Sequence, residues 1–65
     1  MLTSKIGENA GKVWQALQGG ALTSKELAKA TKLKVADLHL ALGWLAREGK
    51  VAFEAGETDV KISLN

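Results

Sequence analysis

Apolar residues recur along this chain in two rhythms, one helical and one alternating. Ile6, Ala10, Val13, Trp14 and Leu17 fall at i, i+4, i+7, i+8 and i+11, which places them on one helical face. Thr3 or Ser4 can cap the start of that helix, and Gly19-Gly20 ends it. Ala21-Leu22 is too short for an independent strand but could add a third short strand to a ribbon. Thr23-Ser24-Lys25-Glu26 then has the form of a capping box: the Thr hydroxyl accepts the N3 amide, and the cap amide donates to the Glu carboxylate. The helix it opens carries Leu27, Ala28 and Ala30, the small and apolar residues that close packing needs. A third helix is expected over about Val35 to Glu48, with Gly49 as its stop. At about 100° per residue, Val35, Leu38, Leu42, Leu45 and Ala46 gather on one side of it. Ala36, Asp37, Leu40, Gly43, Trp44 and Arg47 gather on the other. Beyond Gly49 the rhythm changes to alternation. Val51, Phe53 and Ala55 alternate with Lys50, Ala52 and Glu54, and Val60, Ile62 and Leu64 alternate with Asp59, Lys61 and Ser63. Gly56 suits a tight turn between these two strands.

Helix, helix, turn, helix and ribbon is the order of a winged helix-turn-helix domain. The expected fold is therefore α+β: three helices followed by a C-terminal β-hairpin wing, in one domain spanning residues 1–65. Leu17, Leu27, Leu38, Leu42, Leu45, Val51, Phe53 and Ile62 are its expected core. The turn Thr31-Lys32-Leu33-Lys34 departs from the usual pattern twice. Lys32 stands where Gly would suit a left-handed backbone, and Lys34 stands where Ser or Asp would cap the next helix. Leu33 fits as the buried turn residue.

Composition narrows the function. Sixty-five residues leave no room for a second lobe enclosing a substrate. There is no Cys, hence no disulfide and no thiolate metal site, and one His cannot form a metal cluster alone. No apolar run is long enough to span a bilayer and no signal-peptide pattern precedes Thr3, so a soluble cytoplasmic protein without a cofactor is expected. The net charge of +2 is too small to imply a polyanion partner by itself. Its distribution says more. Lys25, Lys29, Lys32 and Lys34 crowd the helix-turn region against Glu26 alone, while Glu54, Glu57 and Asp59 crowd the wing tip. Arg47 is the single arginine, and arginine is the commonest bidentate reader of guanine.

Two stretches, Ile6-Gly7-Glu8-Asn9-Ala10-Gly11-Lys12-Val13-Trp14 and Ala41-Leu42-Gly43-Trp44-Leu45-Ala46-Arg47-Glu48-Gly49-Lys50, resemble a family of short, stand-alone prokaryotic winged-helix proteins catalogued as a domain of unknown function. The resemblance covers nearly the whole chain. It implies a winged-helix fold and a homodimer, and it carries over no catalytic or binding residues.

The candidate sites each have a plainer reading beside them. In the usual docking the third helix enters the major groove, where Leu40 and Trp44 offer little base code and Asp37 could accept from cytosine. The acidic wing tip repels phosphate. Lys25, Lys32, Lys34 and Arg47 are the candidate nucleic-acid contacts, and duplex DNA would be held weakly, by its phosphates; the plain alternative is a solvated lysine face. Leu40, Gly43 and Trp44 are the candidate protein interface. Leu40 and Trp44 meet at i, i+4, and Gly43 admits a neighbouring backbone. The plain alternative is that the ribbon or the first helix covers Trp44. Gly7 and Gly11, also at i, i+4, either admit a close helix contact or simply weaken an exposed helix. His39 reads as a half-buried packing residue. Neither Ser24 nor Ser63 is placed near a His-acid pair, and no phosphate loop or metal-ligand spacing is present, so neither an enzyme nor a small-molecule substrate is expected. The leading expectation is a non-catalytic winged-helix binding module of the DNA-binding regulator type, homodimeric. Its rival is a protein-interaction module with the same fold and no DNA binding.

Overall fold

The computed structural model describes the backbone of residues 2–65 and the side chains of residues 4–65. Helix α1 (Leu2–Ala16) runs into a single 3-10 turn (Leu17–Gly19), and β1 (Leu22–Thr23) leads into α2 (Ser24–Thr31). After the turn come α3 (Val35–Arg47) and the strands β2 (Val51–Ala55) and β3 (Val60–Leu64). The expected α+β winged arrangement is what forms. The third strand forms as well: the antiparallel sheet has the order β1-β3-β2, with Leu22 opposite Ile62 and Phe53 opposite Ile62 on its other side.

Local chemistry accounts for most of the boundaries. The capping box closes as anticipated: the Glu26 amide donates to Thr23 Oγ1 at 3.1 Å, and the Thr23 amide donates to Glu26 Oε1 at 2.8 Å. α3 ends in a Schellman motif, with Lys50 N–H bonded to Leu45 O at 3.0 Å and Gly49 N–H to Ala46 O at 3.0 Å. That geometry needs the left-handed φ of 69° at Gly49. At the wing, Gly56 N–H donates to Asp59 O at 2.8 Å, and a Cβ on Gly56 would lie 2.6 Å from the same oxygen. α1 starts earlier than its capping signal suggested. Ser4 lies inside the first turns of a helix that begins at Leu2, so it is not the cap, and the side chain of Thr3 lies outside the described residues.

The core sits between α1, α2, α3 and the inner face of the sheet. Leu17, Leu27, Leu38, Leu42, Leu45, Val51 and Ile62 are buried as expected, joined by Ala10, Val13 and Ala41. Four expectations are corrected. Phe53 is 49% exposed: β2 is an edge strand, and the hollow that Phe53 lines with His39, Leu42 and Gly43 of α3 stays open to solvent. Val35 is 62% exposed and Ala46 is exposed too: the buried stripe of α3 is Leu38, Ala41, Leu42 and Leu45, rotated from the expected one by the packing of α1. Trp14 lies at the margin of the α1 face and stays 42% exposed. His39 is exposed, not half-buried. One buried residue had no signal in the pattern. Asn9 is 2% exposed, and its carboxamide oxygen has no hydrogen-bond partner among the described residues, an arrangement that costs about 1–3 kcal/mol.

Candidate functional site

The helix-turn-helix carries three exposed lysines along α2 and its turn. Lys25 stands in the first turn of α2, Lys32 in the turn itself and Lys34 at the N-cap of α3, all exposed. Lys32 adopts the left-handed backbone usually left to Gly, φ 59°. Its amide bonds to Ala28 O at 2.8 Å, and Thr31 Oγ1 closes the turn by donating to Leu27 O at 2.7 Å. Lys34 makes no side-chain cap. Arg47 is the last residue of α3, about 20 Å from Lys34 along the axis at about 1.5 Å per residue. Lys32 and Lys34 therefore flank the turn together, Lys25 stands about 10 Å away at the other end of α2, and Arg47 is separate.

The acidic wing tip divides as well. Glu54 and Glu57 are exposed, and Glu54 stands opposite Lys61 in the strand register. Asp59 turns back onto α2. Its carboxylate accepts the Ser24 hydroxyl, the Lys25 amide at 3.3 Å and the Val60 amide at 2.8 Å. These donors, the Ser24 hydroxyl first, hold its pKa below the usual 3.8. Asp59 is therefore not one of the free charges of the tip, where the sequence alone groups it. The signal was available in the pairing of β1 with β3: Thr23 opposite Lys61 carries residue 59 toward residue 25.

The outer side of α3 does not present its candidate patch to a single groove. Leu40 is 45% exposed and Trp44 40%, so neither the wing nor α1 covers Trp44 as core. Gly43 lines a shallow hollow of about 270 Å³ toward the wing, with His39, Leu42, Phe53, Val60, Ile62 and Ser24. Trp44 lines the other side, a hollow of about 280 Å³ shared with Trp14, Gly7, Ala10 and Gly11 of α1. The first hollow brings Ser24 and His39 together, which their spacing had not suggested. The Ser24 hydroxyl donates directly to Asp59, however, and not to an imidazole. An activated serine needs its base as that acceptor, so the trio is a structural tie and not a nucleophile. Among the described residues no three His, Asp or Glu side chains converge as a metal site, and no helix is long and apolar enough to cross a membrane.

This chain is similar to known proteins. The uncharacterized protein MJ1608 of Methanocaldococcus jannaschii is 38% identical over 50 residues, covering 72% of this chain and 71% of that protein. The solution NMR structure of protein BT2368 from Bacteroides thetaiotaomicron superposes with a TM-score of 0.87 at 42% identity, covering 98% of this chain and 79% of that one. Reduced HlyU from Vibrio cholerae superposes with a TM-score of 0.84 at 25% identity, covering 98% of this chain and 68% of that one. A family model described as a winged helix-turn-helix domain (DUF2582) matches residues 1–64, and with three helices, the capped turn and the hairpin wing all in place, the chain belongs to that family.

Proposed function

We propose that this chain is a non-catalytic binding module of the DNA-binding regulator type, working in the cytoplasm, which meets duplex DNA through phosphates and not through base edges. The observation that carries this reading is the exposed pair Lys32 and Lys34 at the turn, with Lys25 exposed at the start of α2, on the elements that a helix-turn-helix turns toward a duplex. Arg47 adds a phosphate contact only at the far end of α3. The outer face of α3 offers Leu40 and Trp44 where base readers would stand, so sequence preference is weak. Three phosphate contacts correspond to a slope of about −3 in log K against log salt. Fluorescence anisotropy with random-sequence duplexes over a salt series tests this. Lys32→Glu with Lys34→Glu should abolish binding while leaving the circular dichroism unchanged. A tight, sequence-selective site at physiological salt would overturn the reading.

A second reading is favoured by one specific observation: the exposure of Leu40 and Trp44 on a helix whose other face is fully packed. Such side chains, with Gly43 beside them, suit a protein interface, and a second copy of the chain is the simplest partner. Under this reading the chain homodimerises, and Trp44→Ser gives a folded monomer by sedimentation equilibrium.

A further inference from the structure

Both tryptophans of the chain stay partly in water, and both line the same hollow. Trp14 comes from α1 and is 42% exposed, and Trp44 comes from α3 and is 40% exposed. Gly7, Ala10 and Gly11 of α1 form the floor between them with Leu45, and Lys50 completes a volume of about 280 Å³. A second hollow, of about 210 Å³, is lined by Trp44, Arg47 and Glu48. Trp44 is common to the two. Each hollow therefore joins an indole to one exposed cation, Lys50 in the first and Arg47 in the second.

The chemistry of the lining narrows the ligand. Both hollows are smaller than the roughly 300–1,000 Å³ pockets that enclose a drug-sized molecule, so each offers a shelf for one flat ring. Indole faces attract cationic ligands, but Lys50 and Arg47 would repel a cation here. An uncharged peptide could lie on the indoles and would leave both cations unused. A ligand that repeats one planar ring and one negative charge uses the arrangement twice over. Single-stranded nucleic acid has that form: its bases stack on aromatic side chains whatever their sequence, and its phosphates pair with lysine and arginine. The backbone of Lys50 is fixed for such a contact, its N–H donating to Leu45 O at 3.0 Å and its C=O accepting the Asn65 N–H at 3.1 Å. Glu48 is the one acid in the lining. It repels phosphate toward Arg47 and can accept the exocyclic amine of a cytosine.

We propose that this flank of α1 and α3 binds single-stranded nucleic acid, with two successive bases stacked against Trp44, one in each hollow. The base in the first hollow also meets Trp14, and Lys50 and Arg47 take the phosphates. Arg47 is about 20 Å from Lys34 along α3, so this site goes beyond the duplex contact at the turn and does not depend on it.

Fluorescence titration of the full chain with a short oligodeoxycytidylate at low salt tests the site directly, because Trp14 and Trp44 are its only indoles. Stacking should quench their emission. Anisotropy of the labelled strand then reads the variants, with circular dichroism as the check on folding. Trp44→Ala should weaken binding about tenfold to a hundredfold, and more than Trp14→Ala, since Trp44 serves both bases. Trp44→Phe should keep most of the affinity and Trp44→Leu should lose it, which separates stacking from apolar cover. Two phosphate contacts predict a slope of about −1.4 in log K against log salt, falling by about half in Lys50→Gln. Lys32→Glu with Lys34→Glu should leave the quenching in place, and its loss in that variant would overturn the inference. A parent that is quenched by the single strand but does not bind duplexes overturns the duplex reading alone. Deoxycytidine monophosphate binding as tightly as the strand overturns the inference, because the second hollow would then add nothing. Emission that responds to protein concentration and not to the strand also overturns it, and gives Trp44 to the homodimer reading.

Discussion

The two helices of the helix-turn-helix begin in opposite ways. α2 starts with its amide donors well supplied. Thr23 and Glu26 close a reciprocal box, and Asp59 arrives from the wing to take the Lys25 amide while its charge sits at the positive end of the helix. α3 starts on Lys34, which makes no side-chain cap and puts a positive charge at that same end. One residue pair earlier, Lys32 holds a left-handed backbone that glycine would hold with less strain. Both departures from local preference in this stretch are lysines, and both point into solvent at the corner proposed to face phosphate. Local rules broken on one side of a turn and kept on the other suggest that the lysines are there for charge and not for folding.

If α3 has no good start, burial must hold it. Leu38, Ala41, Leu42 and Leu45 are its anchor. Leu42→Ala should therefore give the largest loss, about 2–5 kcal/mol, read by urea denaturation. A variant melting within a degree or two of the parent would mean that α3 is held by something other than its inner stripe.

The contrast sharpens at the two cap positions themselves. Thr23→Ala should lose about 1 kcal/mol, whereas Lys34→Ser should gain about as much, because a hydroxyl there can accept an amide that now has no side-chain acceptor. Opposite signs at equivalent positions of neighbouring helices are the expected result. Equal losses would show that Lys34 stabilises α3 in some way its geometry does not reveal.

Much of this architecture was legible in the chain. Thr23 and Glu26 announced the start of α2, Gly49 the end of α3, and Gly56 the wing turn, since each signal is local and backbone sterics enforce it. The helical rhythm also named most of the core. It misjudged Val35, Trp14 and Phe53 because periodicity says which face a side chain shares and not whether another element reaches that far. The candidate sites were less legible for a related reason. Trp44 and Gly43 are neighbours in sequence yet line different hollows, and which hollow each meets depends on where α1 and the wing pack. Asp59 looked like free charge at a tip because its partners, Ser24 and Lys25, are brought to it only by strand pairing across more than half the chain.

Lys32→Gly separates folding from function more directly. Glycine relieves the left-handed strain at φ 59° and should raise stability by up to about 1 kcal/mol. The same change removes a phosphate contact and should lower the salt slope of DNA binding by about one. A variant that is more stable and binds less is the signature expected if the lysine is kept for its charge. A variant that is more stable and binds equally well would make Lys32 part of a solvated face.

The smallest effect belongs to the latch that completes the well-made start of α2. Asp59 is held below its usual pKa of 3.8, chiefly by the Ser24 hydroxyl, then by the Val60 amide. A carboxylate depressed in the folded state stabilises the fold above its unfolded pKa, and loses that contribution as pH falls through the lower folded value. Asp59→Asn should therefore melt below the parent by a constant margin from neutral pH down to the ordinary carboxyl range. The margin should close only at pH values under 3.8, where the parent's own carboxylate takes up its proton. Thermal melts of both proteins on a descending pH series measure it. Asn keeps an acceptor oxygen for Ser24 but brings no charge to the α2 terminus, so a margin that is already absent at neutral pH would assign the latch to hydrogen bonding alone. In that case the difference between the two helix starts would lie in their acceptors and not in the charge beside them.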